Sequence, residues 1–386
     1  MERVILFEGA YATLDLFTEE IRKELERRSV EVMVFQVNEY QASLMKMAQF
    51  LQKPVTAAVA YNNLGFNMEL VPGKNIWDDL GIPFVNILVD HPFHYKNALD
   101  AAPKKAIVLC IDKMHVNYIK RFWPEVKNVY FMPHGTTEFE KGKEWSEREI
   151  DVLYAGGLSV DLLEGLKPDK EKYQDFDAEG LVNYAVERLV CEHQLTTEEV
   201  VEQYLKENHV QYDTARLSQI ITDFRIVDSY AVSYYREKVI ETLVQNGVKV
   251  TVFGRGWDKR KCISNPNLLF KGYVTPAEIL ELMKNAKIVL NTMTWFKDGS
   301  HVRVFNGMMA GAVCFTDYSK YISEVITNGK NGYVFELDNL EKLVCDVKTV
   351  LNGDVDCNQI AENGRAEAVC NHTFKNRVDF ILDLLV

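Results

Sequence analysis

Three polar residues at intervals of three, Ser300, Arg303 and Asn306, lie in the segment DGSHVRVFNGMMAGAVCF, directly before an apolar run. Residues three apart share one side of a helix, so this spacing predicts a polar ridge beside an apolar surface. The turn residues Asp298 and Gly299 precede Ser300, whose side chain is a good N-cap. The N–H groups at a helix start attract anions, and a phosphate there gains roughly 0.3 to 2 kcal/mol from the helix dipole.

The side chains along this ridge suit a phosphate that carries a sugar. Arg303 can make a bidentate, charge-assisted contact to phosphate oxygens. Asn306 is placed to hydrogen-bond a sugar hydroxyl. The pattern predicts a helix from about His301 to Ala310, with Gly311 at its C-terminus. The alternative is a solvent-exposed polar stripe that binds nothing.

Two glycine-containing turns follow strand-like runs in the same half of the chain. Gly254, Arg255 and Gly256 follow VKVTVF, and Gly156 and Gly157 follow DVLY. Arg255 is interpreted either as a phosphate contact or as a solvated residue in a tight turn. The glycines either let a ligand approach the backbone or only give the strand a tight exit.

Polar residues also end strand-like runs in the first half. Asp90 and His91 follow PFVNILV, where a carboxylate beside an imidazole can act as general base for a hydroxyl or steady a leaving diphosphate. The alternative is a turn that Asp90 caps. His134 in MPHG is either a cleft residue or a polar hinge, and Gly9 would let the donor approach the first strand.

Short apolar strands alternate with helical patterns throughout, which predicts an α/β fold with parallel sheets and right-handed crossovers. We expect two doubly wound Rossmann-like domains that face a cleft, with ligands at the carboxyl ends of the strands. The expected parts are a first domain over residues 1–135, a linker over 136–150, a second domain over 151–372 with a helical insertion at about 161–223, and a final helix over 373–386.

Composition excludes several classes of protein. The chain has 386 residues, more than one core usually organises, and its net charge of −12 disfavours binding to nucleic acid. No run is long and apolar enough to predict a transmembrane segment. The scattered cysteines are expected to be free thiols of a cytoplasmic protein. Cys191 with His193, and Cys370 with His372, lack the second pair of a structural zinc site, so no metal or cofactor is predicted.

Four motifs between residues 248 and 345 occur in one characteristic order: VFGRGWD, FKGYVTPAEILELMKNAKIVLN, DGSHVRVFNGMMAGAVCFTDYS and ISEVITNGKNGYVFELDNLEKL. Together they resemble the donor-binding domain of GT-B glycosyltransferases of the group 1 kind, and more narrowly the spore-maturation, CgeB-like branch. Weaker similarity extends to FVNILVDHPFHY and VYFMPHG in the first half. The order of the four motifs is more specific than any one of them.

The resemblance implies a nucleotide-sugar donor on the second domain, an acceptor on the first, and a final helix that crosses back onto the first domain. It implies that position 306 faces the ribose. It assigns the nucleotide base to Gly272, Tyr273 and Val274, and the diphosphate to Gly299, Ser300 and His301. Many group 1 members carry two glutamates separated by seven residues, whereas this chain has Asp298 and Asn306.

The sequence thus predicts a metal-independent glycosyltransferase. It would move a hexosyl or N-acetylhexosaminyl group from a nucleoside-diphosphate sugar, with UDP expected, to a hydroxyl of a glycan, protein or small-molecule acceptor. Two alternatives stay open: a nucleotide-sugar epimerase on the same fold, and a non-catalytic nucleotide-sugar-binding or scaffold protein.

Overall fold

A computed structural model describes residues 2–159 and 171–385 of the chain. The chain forms two compact units: unit 1 contains Met1–Glu138 and Asn371–Val386, and unit 2 contains Phe139–Cys370. Residues 136–138 fall in unit 1 and residues 139–150 in unit 2. The return to unit 1 begins two residues before the predicted boundary at 373.

Unit 1 is built on a parallel sheet of six strands in the order β2-β1-β3-β6-β7-β8, with a small β4-β5 hairpin beside it. The central strands β3, β6 and β7 are buried along their whole length, as expected for a parallel sheet covered on both faces. The strands are β1 (Arg3–Glu8), β2 (Glu31–Gln36), β3 (Ala57–Tyr61), β4 (Glu69–Val71), β5 (Lys74–Asn75), β6 (Phe84–Leu88), β7 (Ala106–Cys110) and β8 (Asn128–Phe131).

Five helices before residue 138 connect these strands: α1 (Ala12–Arg27), α2 (Tyr40–Phe50), α3 (Ile76–Leu80), α4 (Lys96–Asp100) and α5 (Lys113–Phe122). The apolar face of α1, through Ile21 and Leu25, packs on β1 and β3 in one buried cluster. The same cluster contains Phe374, Val378 and Ile381 from the end of the chain. Burial of these apolar side chains joins the C-terminal segment to unit 1.

Unit 2 contains a second parallel sheet of six strands, in the order β11-β10-β9-β12-β13-β14. Its central strand β9 pairs with β10 and β12, so the carboxyl ends of these three strands lie at the same edge. The strands are β9 (Ile150–Ala155), β10 (Val250–Phe253), β11 (Leu268–Phe270), β12 (Ala286–Asn291), β13 (Val313–Asp317) and β14 (Tyr333–Phe335).

The described helices after residue 170 include three in the predicted insertion, α6 (Ala178–Cys191), α7 (Thr197–Glu207) and α8 (Thr214–Phe224). Residues 161–170 of that insertion lie outside the described residues. The other helices are α9 (Ile226–Gln245), α10 (Pro276–Met283), α11 (Val302–Met309), α12 (Lys320–Val325), α13 (Leu340–Asn352), α14 (Cys357–Asn371) and α15 (Phe374–Asp383). Within the described ranges, no helix has the length and hydropathy of a membrane span.

The α/β class with two parallel sheets is confirmed. Eleven of the twelve strands in the two large sheets coincide with predicted strand-like runs. The sequence reading missed β14, a strand that is defined by its pairing with β13. It also missed the β4-β5 hairpin, whose residues are mostly exposed and lack apolar alternation.

Arg377 fixes the last helix to the end of the first sheet. Its side chain is buried, and its Nε and Nη2 atoms donate hydrogen bonds to the His134 carbonyl at 3.2 and 2.9 Å. Nη1 donates to the Asn371 carbonyl at 3.1 Å. Thr136 and Thr373 pair as a parallel bridge beside these contacts. The segment after β8 and the start of α15 therefore form one joint.

Replacing Arg377 by Met tests this joint. The variant leaves the carbonyls of His134 and Asn371 without their donor, so we expect the free energy of unfolding of unit 1 to fall by roughly 2 to 4 kcal/mol. Urea unfolding measures the change. Lys375→Met, on the exposed side of the same helix, is the matched control and should change stability little. Equal effects of the two variants would contradict the role of Arg377.

Candidate donor and acceptor sites

Helix α11 begins one residue later than its predicted cap. His301, not Ser300, is the N-cap: its Nδ1 atom accepts the Arg303 N–H at 3.1 Å. The prediction of Ser300 as N-cap was wrong, because an imidazole two residues before Arg303 reaches the same N–H. The C-terminus is as predicted, since Gly311 has φ 70° and its N–H donates to Met308.

Two hydroxyl groups are buried in front of this helix without a hydrogen-bond partner in the part of the chain that the structure describes: Ser300 Oγ and Thr294 Oγ1. A buried hydroxyl with no partner costs about 1 to 3 kcal/mol, so such groups mark places where a polar ligand can bind. The loop that carries them is fixed, because Ser319 Oγ donates to the Gly299 carbonyl at 2.6 Å. The Lys320 N–H donates a hydrogen bond to the Lys297 carbonyl at 2.9 Å.

Arg303 is buried and does not form a solvent-exposed stripe, so that alternative was wrong. Its Nη1 atom donates to Asn291 Oδ1 at the end of β12, and its Cζ atom lies 5.6 Å from the centre of the Tyr154 ring. Among the described residues it forms no ion pair. Burial, together with the nearby positive charge of Arg236, lowers the pKa of the guanidinium to about 10. A buried cation without an anionic partner is a natural site for a phosphate.

The carboxyl group of Asp317, at the end of β13, lies close enough to Arg303 for their charges to interact. It is fully buried and accepts the Met293 N–H at 2.8 and 3.0 Å. Burial raises its pKa to about 7, so it is only partly ionised at neutral pH. Asp317 therefore offsets little of the charge on Arg303.

The glycine turns after β9 and β10 pack against each other. The Gly156 N–H donates to the Phe253 carbonyl and the Leu158 N–H to the Arg255 carbonyl, both at 2.8 Å. Gly254 has φ 140°, and a Cβ atom there would lie 2.5 Å from the carbonyl carbon and oxygen of Gly156. A Cβ on Gly157 would lie 3.2 Å from the Arg255 carbonyl oxygen. The close approach of the two turns thus requires glycine whether or not a ligand binds there.

The residues predicted for the nucleotide base lie beside the β10 turn. The Gly254 N–H donates to the Gly272 carbonyl at 2.9 Å, and Arg255 Cζ lies 5.3 Å from the centre of the Tyr273 ring. Tyr273 is 63% exposed and Arg255 is also exposed, which leaves both available to a ligand. Val274 is half-buried next to them. Asn306 is half-buried on α11, one turn beyond Arg303.

In unit 1, Asp90 is exposed just beyond the end of β6. Its Oδ2 atom accepts hydrogen bonds from Asn62 Nδ2 at 2.9 Å and from the Tyr95 hydroxyl at 2.7 Å. Asn62 has φ 47° and also accepts the Val89 N–H, which fixes the two strand ends together. Both bonds to Asp90 end on one oxygen. Within the described chain, its Oδ1 is available for a hydroxyl proton.

His91 follows Asp90 but is buried. Its Nδ1 atom accepts the Phe93 N–H at 3.2 Å, so the neutral ring carries its proton on Nε2. The ring stacks on Phe93 with centroids 3.8 Å apart. Burial, and then the charge of His94, lowers the pKa of His91 well below 6.5. A neutral imidazole with this tautomer is suited to donate a hydrogen bond rather than to remove a proton.

Gly9 and His134 lie elsewhere along the same sheet edge. Gly9 has φ 98°, and its N–H donates to Asp15 Oδ1 at 2.8 Å. The His134 ring is buried 5.8 Å from the Phe17 ring, and burial followed by the charge of Arg377 lowers its pKa to about 3. Because its carbonyl is the acceptor for Arg377, His134 contributes to the joint with α15. A ligand-binding role for either residue stays a prediction.

Sequence reading missed several residues near the predicted diphosphate site: Asn291, Thr294 and Arg236. Arg236 lies in α9, where its Nη1 atom donates to the Gly157 carbonyl at 2.6 Å. The only local signal was a cation within the run SYYREKV, which is indistinguishable from a surface arginine of an ordinary helix. Within the described ranges no three His, Cys, Asp or Glu side chains converge as metal ligands.

Comparisons with known proteins bear on the fold and on the class of protein. Residues 236–383 match the family described as glycosyl transferase-like. HepE of Anabaena, solved with UDP-glucose, is similar with a TM-score of 0.57 and 13% identity over 100% of both chains. Sucrose-phosphate synthase of Thermosynechococcus elongatus has a TM-score of 0.58 and 10% identity, covering 100% of this chain and 98% of its own. A glycosyltransferase of Rickettsia africae has a TM-score of 0.52 and 12% identity, covering 100% of this chain and 97% of its own.

No curated protein sequence matches the chain. The structural likenesses confirm the predicted fold class, that of the GT-B glycosyltransferases. The match to the glycosyl transferase-like family covers residues 236–383, which include α11 and the residues around it. The family match supports the predicted glycosyl transfer.

The raised pKa of Asp317 gives a test of the site's electrostatics. Between its ordinary value of 3.8 and about 7, the folded state keeps a proton that the unfolded state releases. Stability therefore falls as pH rises through this window. Asp317→Asn keeps an oxygen that can accept the Met293 N–H but does not ionise, so its stability relative to the parent should rise between about pH 4 and about pH 7 and stay constant above that.

Urea unfolding at several pH values measures this difference. Asp258→Asn, an exposed carboxylate in the same unit, is the control and should follow the parent at every pH. A parallel pH dependence of Asp317→Asn and the parent would show that Asp317 titrates normally.

Proposed function

We propose that the protein transfers a sugar from a UDP-sugar to a hydroxyl group of an acceptor. The observation that carries the proposal is the buried, unpaired guanidinium of Arg303, at the start of the helix that the family match includes. In the described part of the chain no carboxylate pairs with it, and buried hydroxyls of Ser300 and Thr294 lie near the same helix start. A diphosphate supplies the missing anion and the missing acceptors.

On the donor side, the N–H groups and side chains of Gly299, Ser300 and His301 bind the diphosphate, helped by Arg303 and Arg255. His301 caps its helix as His91 does, with Nδ1 accepting a backbone N–H from two residues further on. The Nε2–H of the neutral ring is therefore a donor. These donors stabilise the charge that develops as the bond between the anomeric carbon and the diphosphate oxygen breaks. Because this charge is met by protein groups, we infer that no divalent ion is needed.

The nucleotide lies between the β11 loop and α11 in this proposal. Gly272, Tyr273 and Val274 border the base, and the exposed ring of Tyr273 offers a stacking surface. Asn306 binds the ribose through its amide. UDP is the expected nucleotide because the similar HepE structure contains UDP-glucose. The finer assignments also stay proposals: hexosyl or N-acetylhexosaminyl transfer, the CgeB-like branch, and the cytoplasmic location.

On the acceptor side, Asp90 Oδ1 takes the proton of the acceptor hydroxyl as its oxygen attacks the anomeric carbon. His91 acts as a neutral hydrogen-bond donor from Nε2. It is therefore better suited to stabilise the leaving diphosphate than to act as the general base. The acceptor is a glycan, a protein or a small molecule. Gly9 lies at the same edge of the sheet, where a small residue leaves room for it.

The function is tested by incubating the protein with a panel of nucleotide sugars, with and without candidate acceptors. We expect release of UDP, slowly with water and faster with the correct acceptor, with saturation at micromolar to millimolar donor. A changed sugar without UDP release would show an epimerase. Binding of the nucleotide sugar with neither outcome would show a scaffold protein.

Asp90→Asn tests the proposed base. Loss of proton transfer should lower kcat by about 10² to 10⁴-fold, while the KM for the donor stays unchanged because the donor binds to unit 2. Asp79→Asn, an exposed carboxylate of the same unit, is the control. A kcat within threefold of the parent (about 0.6 kcal/mol in the barrier) would rule out Asp90 as the base.

A further inference from the structure

Lys297 connects the helical insertion to the loop before α11, residues 292–301, which we call the donor loop. Its Nζ atom donates hydrogen bonds to the Thr294 carbonyl at 2.6 Å and to the His193 carbonyl at 2.5 Å. His193 lies 104 positions earlier in the chain, in the turn between α6 and α7 of the insertion. One ammonium group therefore joins two segments of unit 2 that are distant in sequence.

The turn between α6 and α7, residues 192–196, is itself fixed to unit 2. The Tyr235 hydroxyl of α9 donates to the Val190 carbonyl near the end of α6. The His193 side chain is buried, and its Nδ1 atom lies 3.1 Å from Asp338 Oδ1, beyond β14. Burial lowers the pKa of His193, so the neutral ring donates Nδ1–H to that carboxylate. The turn is thus a firm support for Lys297.

On its other side, Lys297 holds the residue that carries one of the two buried hydroxyls without a partner in the described chain. Thr294 Oγ1 is that hydroxyl, and the carbonyl of the same residue is an acceptor for Lys297. The main chain of Lys297 is fixed as well, through the N–H of Lys320. A displacement of the Lys297 ammonium would therefore move the Thr294 hydroxyl relative to α11.

The charge of Lys297 acts on carboxyl groups on both of its sides. Asp228 of α9 accepts a hydrogen bond from Thr197 Oγ1 of the insertion at 3.3 Å, and Asp317 accepts the Met293 N–H of the donor loop. Burial raises the pKa of Asp228 to about 6 and that of Asp317 to about 7, and the charge of Lys297 opposes both rises. Lys297 thus lies between the insertion and the donor loop, and we assign it no contact with the donor.

We propose that Lys297 is a positioning residue through which the helical insertion sets the geometry of the donor loop, and with it the affinity for the donor. This inference rests on the proposed function, because the loop carries residues assigned to the donor diphosphate. The coupling must be reciprocal, so a donor that orders the loop also stabilises the turn between α6 and α7. Any event that displaces the turn then changes donor affinity.

Hydrogen exchange of the full-length protein, followed by mass spectrometry with and without UDP, tests the coupling. In the parent, UDP should slow amide exchange in the donor loop and also in residues 192–196. In Lys297→Met, UDP should slow exchange in the donor loop alone, because the bond to the His193 carbonyl is lost. Protection of the turn that is equal in both proteins would overturn the proposal.

Isothermal titration with UDP and uridine measures the effect on binding. Lys297→Met should weaken UDP binding by about tenfold and leave uridine unchanged, since the loop is assigned to the diphosphate. Lys297→Arg can still donate to both carbonyls and should recover most of the affinity. Lys249→Met, an exposed cation at the amino end of β10, is the control and should bind both ligands like the parent.

A second variant disturbs the insertion instead of the donor loop. Tyr235→Phe removes the hydrogen bond to the Val190 carbonyl, so it should weaken UDP binding by about threefold in the parent background. In the Lys297→Met background the same change should have no further effect, because the connection is already broken. Equal effects of Tyr235→Phe in the two backgrounds would show that the insertion does not act through Lys297.

The outcomes separate this inference from the proposed function. UDP binding by Lys297→Met that equals the parent's would overturn the role of Lys297 and leave the function intact. Equal losses for uridine and UDP would show that Lys297 only maintains the fold, which also overturns the proposal. Coupled exchange and selectively weakened UDP binding, without UDP release from any nucleotide sugar, would uphold the role of Lys297 and reject the transferase.

Discussion

Parallel pairing of β9 with β10 and β12 is the constraint on which the donor side depends. Because all three strands run in the same direction, the turns that follow them meet at one sheet edge. The turn after β9 packs against the turn after β10 at a distance that excludes a side chain on Gly254. Arg303 reaches the end of β12 through Asn291. Gly156 and Gly254, which are 98 positions apart in the chain, therefore meet because of strand direction.

The second constraint is the positive charge buried at this edge. A protein that only needed to fold would pair Arg303 with a carboxylate or replace it by an apolar residue of similar size. Here the carboxyl of Asp317, whose charge acts on Arg303, is buried and partly protonated, and two hydroxyls have no acceptor or donor within the described chain. Buried charges and hydroxyls without partners are typical of binding sites, where the ligand completes the hydrogen bonds.

Histidine plays the same structural role in both units. His91 and His301 each cap a helical turn, each accept a backbone N–H at Nδ1, and each therefore carry the proton of the neutral ring on Nε2. Burial keeps His91 neutral at physiological pH. The capping bond thus selects the tautomer, and with it the chemistry, of both rings. The tautomer suits His91 to the proposed role of hydrogen-bond donor, which its position next to a carboxylate did not indicate.

The sequence by itself determined the α/β class, nearly all strands of the two sheets, the helix that begins near His301, and the kind of ligand that its polar residues suit. These follow from local periodicity and from residue chemistry, both of which can be recognised in short stretches of sequence. Only the tertiary structure decided that His301 and not Ser300 caps α11 and that Arg303 is buried. It also decided that Arg236 donates to the Gly157 carbonyl in the turn after β9. Those facts depend on which distant strand ends and loops come together, and no local pattern records the packing of residues so far apart in the chain.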